Sequence, residues 1–492
     1  MSTIFMKTGK ADDAVVAGLI QRISKLRNAK VLDEAEALGK EATRQHPAHA
    51  GLVSEHAETA VRRKTWGAAI ERLEQLGSLL AAEPERDDAA ARLVKVFIGL
   101  GQPGEAMRVL DEALAVRGGS IALEVAKARL ELLDPALRDD AARWEKLAVL
   151  AEQQQPGIER SQRVAILAAC AGGLRLAGRG EAARELMEKH YRPCDAVWEA
   201  TLADGYSRLV IFDNGKTRIE YYQKLFDPAT GKIAEPEHLA ITFDLMEQNW
   251  DKEPFAYRPL SPRITDFLAV RKRGKEDFHQ DLRRDDFLRL AGPLAARYRE
   301  VVALGQSLGA YCCLYYASWL PGCRILATAP RNPLHPKYAG KRYANRKLFV
   351  HEYEMPLNPD SSPTIAYDPR NDEDGRYVEQ SLAVSFPQAR ILRYPYCGHS
   401  ITRYLRDTGA LKGATLGFFD GLPFPAFDKS ARGSSAEYVR NLAKLNLRRG
   451  RVDRARSLAR KALELGGDME RTEELLLKIE AAAISKPKPS DP

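Results

Sequence analysis

The chain has 492 residues, 45% of them apolar and 29% charged, with a formal net charge of +8. That length asks for two or three cores rather than one, and the composition excludes a disordered or fibrous chain. No apolar run approaches the ~20 residues that span a bilayer, Met1 to Asp13 holds no apolar signal segment, and so modest a charge does not require nucleic acid; a cytoplasmic protein without a membrane span is expected.

From about Ala29 to His190 the chain is rich in Ala, Leu, Glu and Arg, with helical periodicity and few strand formers. Within it a small or apolar residue, another four later and a third seven later recur. The sets are Ala35/Gly39/Ala42, Ala69/Leu73/Leu76, Ala106/Leu110/Ala113, Trp144/Ala148/Ala151 and Ala183/Met187/His190, with starts 34, 37, 38 and 39 residues apart. Gly101 and Gly178 fall five residues before the first alanine of their sets, where a tight turn between paired helices needs positive φ. This spacing resembles the tetratricopeptide repeat, with most of its Trp and Tyr signature positions missing. Small residues there let helices approach closely, so that stacked pairs bury a continuous core. Such arrays present surfaces to protein partners, and a protein partner is expected for this one.

Near Tyr191 to Gly205 the composition changes. Ser207 to Phe212 reads as a buried strand ending in the turn Asp213-Asn214-Gly215. Further strands are expected at Ile264–Val270, Glu300–Leu304, Arg324–Ala329, Lys347–His351, Thr364–Tyr367 and Ala389–Arg393, with helices at Asp285–Tyr298 and Ala310–Trp319. Strands alternating with helices imply an α/β domain with a mostly parallel sheet covered on both faces. After Phe424-Pro425 the helical pattern returns, and Gly450 with Ala455, Ala459 and Ala462 repeats the N-terminal spacing. The expected organisation is a helical-repeat domain over 1–195, an inserted α/β domain over 200–425, a C-terminal helix pair over 433–483 and a disordered tail over 484–492.

The chemistry-bearing stretch is Val301 to Ala310, where a β-branched apolar run enters Gly305-Gln306-Ser307-Leu308-Gly309 and a helix-like segment follows. Strand, sharp turn and helix make a nucleophile elbow, with Ser307 in the strained turn and glycines where backbone passes close. Downstream, His399 follows the strand Ala389–Arg393 in a Gly-His loop that enters a helix. Such a loop places an imidazole above the carboxyl edge of the sheet; with nine histidines in the chain, an exposed loop histidine is the other reading. The loop after Thr364–Tyr367 supplies the acid: Asp374 fits best, Asp372 is the runner-up, and Asp368 at the strand end could cap the loop instead. The Leu308 amide is the natural first oxyanion donor; the second would come from the loop holding Asn214, although Asp213 is an awkward neighbour for a developing oxyanion.

With those residues in place, the segment from about Ser207 to Gly409 resembles the α/β-hydrolase superfamily. The resemblance implies a serine hydrolase or acyltransferase that acts on an ester, thioester or amide through Ser307, His399 and an aspartate. Joined to helical repeats, it is similar to poorly characterised bacterial proteins, some of them associated with surface-polysaccharide pathways, which implies a glycan as one substrate class.

Between Arg331 and Val350 lie Arg331, Lys337, Lys341, Arg342, Arg346 and Lys347 with no acid among them. In this kind of domain the region contributes to the lid, so an anionic substrate is one reading and a solvated basic loop the other. Arg271-Lys272-Arg273 with Lys275 could line the same edge. Six scattered cysteines form no Cys-x-x-Cys, and no Walker loop or His-Glu-x-x-His occurs; no metal or cofactor is expected. The competing reading is a catalytically idle α/β module carried by a protein-binding scaffold.

Overall fold

The structure is a computed structural model, and it describes residues 10–80, 86–117, 120–134, 137, 140–153, 159–274, 278–339 and 348–484. It divides into two compact units. One comprises Met1–Leu186 with Asp213–Gly215, the other Met187–Phe212 with Lys216–Pro492.

In the first unit, short turns join helices that pack on their sequence neighbours, as where Leu32–Gln45, Ala50–Arg63 and Trp66–Leu79 follow one another. Short connections make such neighbours antiparallel. The repeated residues form the buried stripe: Ala35, Ala69, Leu73, Ala106 and Leu110 are almost wholly excluded from solvent. Gly101 and Gly178 adopt φ of +72° and +78°, the left-handed turn their spacing predicts. Trp144 breaks the small-residue rule, and Gly173 accommodates it. A Cβ at Gly173 would come within 2.1 Å of the indole. His190, the odd member of its set, is half-buried.

The second unit is built on an eight-stranded sheet. Its strands are β1 (Tyr206–Asp213), β2 (Thr217–Lys224), β5 (His238–Phe243), β6 (Asp266–Lys272), β7 (Glu300–Gln306), β8 (Arg324–Thr328), β9 (Thr364–Tyr367) and β10 (Arg390–Arg393); β3 (Phe226–Asp227) and β4 (Lys232–Ile233) form a small hairpin apart from it. The order across the sheet is β1-β2-β6-β5-β7-β8-β9-β10. From β6 to β10 every neighbouring pair is parallel, and β2 runs antiparallel to β6. Leu239, Ala240, Ile241, Val302, Ala303, Ile365 and Ala366 are essentially inaccessible, as strands covered on both faces must be.

Three expectations need correction. Strands β2 and β5 were not among the predicted strands. Lys347–His351 is not a strand: Leu348–His351 carry no strand pairing, and Lys347 lies outside the described residues. Arg271 and Lys272 do not line a ligand edge either, because both are buried inside β6. The guanidinium of Arg271 donates to Asp244 at 2.7 Å and to the carbonyls of Asn249 and Lys252, while Lys272 Nζ donates to the carbonyls of Met246 and Gly274. Lys275 lies outside the described residues.

The C-terminal helices Ala436–Arg448, Val452–Glu464 and Met469–Ile484 belong to this same unit. Ala455, Ala459 and Ala462 are fully buried and Gly450 has φ of +70°, so the N-terminal pattern is repeated in three dimensions. Tyr438 and Val439 share one apolar cluster with Leu304, Leu326 and Tyr394 of the sheet region. The tail beyond Ile484 lies outside the described residues.

Candidate active site

β7 ends at Gln306, and Ser307 turns the chain into the helix Leu308–Tyr315 with φ 53° and ψ −118°. An L-residue rarely adopts that conformation, and it lifts the side chain clear of strand and helix. Both flanking glycines are sterically required. A Cβ at Gly305 would lie 2.4 Å from the Gly309 carbonyl oxygen, and one at Gly309 would lie 2.7 Å from the Phe243 carbonyl oxygen. The turn is held by Ser307 N donating to the Thr328 carbonyl at 2.9 Å and by Arg331 N donating to the Ser307 carbonyl at 3.1 Å.

His399 reaches this turn from the loop after β10. Its Nε2 lies 2.8 Å from Ser307 Oγ, and its Nδ1 lies 2.9 and 3.1 Å from the carboxylate oxygens of Asp374. Asp374 is wholly buried, whereas the His399 side chain keeps 28% of its surface open. Residues 67 and 92 positions apart in sequence thus form one hydrogen-bonded line from hydroxyl to imidazole to carboxylate. Asp372 does not enter this line. It is an exposed residue at the start of the short helix Asp372–Tyr377.

Asp368 has a different part. Its two oxygens accept from the backbone N–H groups of Arg370, Tyr396 and Gly398 at 2.7–3.0 Å, which fastens the loop carrying His399 to the end of β9. Burial pushes its carboxyl above the usual carboxylate range, and the three N–H donors work against that rise. The sequence marked Asp368 only as a strand-end residue that could cap the loop, and the structure gives it this bridge.

Of the basic residues expected at the pocket, Arg331 is close to the site but does not face a ligand. Its guanidinium is spent on the acid loop, with Nε and one terminal nitrogen 2.9 and 2.6 Å from Asp374 Oδ1 and further contacts to Asn371 and Glu373. Lys337 points to Glu354 at 3.6 Å. Lys341 and Arg342 lie outside the described residues.

The oxyanion loop also differs from expectation. Asn214 occupies the turn between β1 and β2, and in the sheet β2, β6 and β5 all lie between β1 and the elbow strand β7. The neighbour of the elbow is the loop after β5, whose Phe243 carbonyl abuts Gly309 and whose Asp244 is clamped by Arg271. Leu308 opens the elbow helix, where its amide points out of the first turn. In the β5 loop the Leu245 amide donates to Gln248 Oε1 at 3.0 Å. The signal for this loop was the apolar run Leu239 to Phe243, which marks β5 beside β7.

Among the described residues no group of three or more His, Cys, Asp and Glu side chains is gathered to hold a metal, and no helix is long and apolar enough to cross a membrane.

No protein-family profile matches the chain, and no curated protein matches it. Solved structures similar to it include MamA (14% identity, TM-score 0.25, over 35% of this chain and 88% of that one). A second is YrrB, a TPR protein with an unusual peptide-binding site (19% identity, TM-score 0.24, over 35% and 82%). A third is a mutant Thermobaculum terrenum O-GlcNAc transferase (11% identity, TM-score 0.24, over 99% and 94%). Scores this low carry no inference about activity, and the helical repeats stand on their own buried stripe.

Proposed function

We propose that this chain is a serine hydrolase or acyltransferase of the α/β-hydrolase type, carried beside a helical-repeat array that docks a protein partner. The observation that supports it is the unbroken hydrogen-bonded line from Ser307 through His399 to Asp374. Ser307 Oγ attacks the carbonyl carbon of an ester, thioester or amide while His399 Nε2 takes its proton. Asp374 holds the Nδ1–H tautomer and stabilises the imidazolium. The tetrahedral oxyanion is met by the Leu308 amide at the start of the elbow helix. His399 then returns its proton to the leaving group, and water or another hydroxyl releases the acyl group from Ser307. The sheet order, the elbow and the chain order serine, acid, histidine all agree with this family.

The test is fluorophosphonate labelling and turnover of p-nitrophenyl acetate by the full chain. Ser307→Ala abolishes labelling, and His399→Ala and Asp374→Asn each lower kcat by about 10³–10⁴-fold with the fold intact. A native chain that is neither labelled nor active with this ester sinks the catalytic reading.

A second reading has one observation in its favour: the Leu245 amide, a ready oxyanion donor, is already engaged by Gln248. On that reading the α/β module is idle and the repeats make the chain a protein-binding scaffold. Capture of one defined partner by the full chain, with Ser307 unreactive, selects it.

A further inference from the structure

The acid loop and the helix Ala436–Arg448 enclose a cavity of about 580 Å³. Arg370 lines it from the loop side, and Lys444, Arg448 and Arg449 line it from the helix side. Lys444 and Arg448 are four residues apart and so share one face of the helix. The acids of the lining are mostly committed elsewhere. Asp368 accepts from three backbone N–H groups, and Glu373 takes one arm of Arg331 at 2.8 Å. Asp372 is the remaining carboxylate of a lining that holds five cations, Arg331 included, and three acids in all.

Lys444 is the most informative of them. It is half-buried, and burial first, then Arg440, Arg471 and Arg448 against the opposing Glu437, push its ammonium below the usual lysine range. The nearby carboxylate, Glu437, is already ion-paired with Arg440 and Arg403. Arg440 is itself buried, with one terminal nitrogen lacking any acceptor. Arg370, Arg448 and Arg449 are exposed, but an ammonium half-buried beside other cations is favoured by an anion that joins it, and a guanidinium fork beside an ammonium is the donor set that suits phosphoryl oxygens.

We propose that this cavity is a binding site for the phosphoryl group of a ligand. It goes beyond the hydrolase reading and does not depend on it, since Ser307, His399 and Asp374 are not part of the lining. Its place against Gly398 and Glu373 puts the bound anion beside the loops that carry His399 and Asp374.

The experiment is calorimetric titration of the full chain with inorganic phosphate and, separately, with glucose 1-phosphate at fixed ionic strength. Saturable binding is expected, weakening as salt is raised. Lys444→Ala and Arg448→Glu should each weaken it at least about tenfold; the second alters an exposed side chain and serves where the first disturbs folding. Tighter binding of the sugar phosphate assigns the site to a phosphorylated organic ligand, and equal binding assigns it to the free ion. Ser307→Ala must bind as the unaltered chain does, so a failure of the hydrolase reading leaves this result standing. No saturable binding of either probe, or binding indifferent to both substitutions, overturns the proposal.

Discussion

Along the stripe of the helical unit the buried side chains are alanine, glycine, leucine and one tryptophan; in the sheet unit β2, β6 and the end of β5 bury Glu220, Lys224, Asp244, Asp266, Arg271 and Lys272. The stripe of the first unit coheres through many small contacts repeated along the chain, with a partly buried cluster of Glu36, Arg72 and His56 added to them. The second unit adds to its apolar core a set of fully buried charged groups with assigned partners. Asp244 accepts from Arg271 Nε and from the backbone N–H of Lys272, and Lys224 Nζ donates to the carbonyls of Asp204 and Ser261. Dispersed packing tolerates drift in any one position. Buried charge does not, because removing one partner strands the other. A site that must hold three side chains to within a few tenths of an ångström is therefore found on the second kind of frame.

The sharpest way to break this comparison is to remove one buried cation. Arg271→Met should destabilise the sheet unit by about 3–5 kcal/mol, because Asp244 then keeps its charge without its guanidinium and Glu220 is left to Arg208. It should also loosen the β5 loop beside the elbow, which hydrogen exchange of residues 244–250 would register as lost protection. Against it stands Gly173→Ala in the helical unit, where the new methyl must displace the Trp144 ring. Overpacking of that sort costs about 1–3 kcal/mol, read as a smaller shift of the urea midpoint. If the glycine variant proves the more damaging, the contrast between the two units is wrong.

That contrast also explains what could be read in the sequence. The helical stripe was legible because the same residue sizes recur at the same offsets, and Gly101, Gly178 and Gly450 mark their turns by the conformation they alone take easily. The elbow was legible for the same local reason, and His399 with Asp374 followed from their places just past strands. β2 was not legible: its eight residues include Arg218, Glu220, Gln223 and Lys224, a polar string that becomes core only because Glu220 meets Arg208 and Arg271, Lys224 meets the carbonyls of Asp204 and Ser261, and Arg218 lies over the Trp250 ring. Overlooking β5 displaced the oxyanion loop to Asn214. Arg331 looked like a ligand-binding cation, because nothing in its neighbourhood shows that Asp374, 43 residues later, will occupy it.

The smallest effect expected is one of pH, and it is read at the elbow. Behind the elbow helix, burial first, and then Lys272 and Arg271, holds the His279 imidazole down to about 3; burial also holds His351 down to about 4, with Glu352 opposing and Arg284 adding to the fall. His351 is fixed by the hydroxyls of Tyr311 and Tyr316 and by the His279 carbonyl, all within 2.8–3.1 Å. Both rings bind protons more weakly folded than unfolded, so stability is full above the unfolded value of 6.5 and falls as the pH drops below it, until each folded value is reached. Between pH 7 and pH 6 each ring should cost about 0.7 kcal/mol. The measurement is hydrogen exchange of the Leu308–Tyr315 amides as a function of pH, corrected for intrinsic exchange rates. His351→Gln lowers stability at pH 7 by removing the tyrosine contacts, yet lowers the slope below it, since one depressed ring is gone while His279 and His335 remain. An unchanged slope would mean that these buried rings do not couple the elbow to acid.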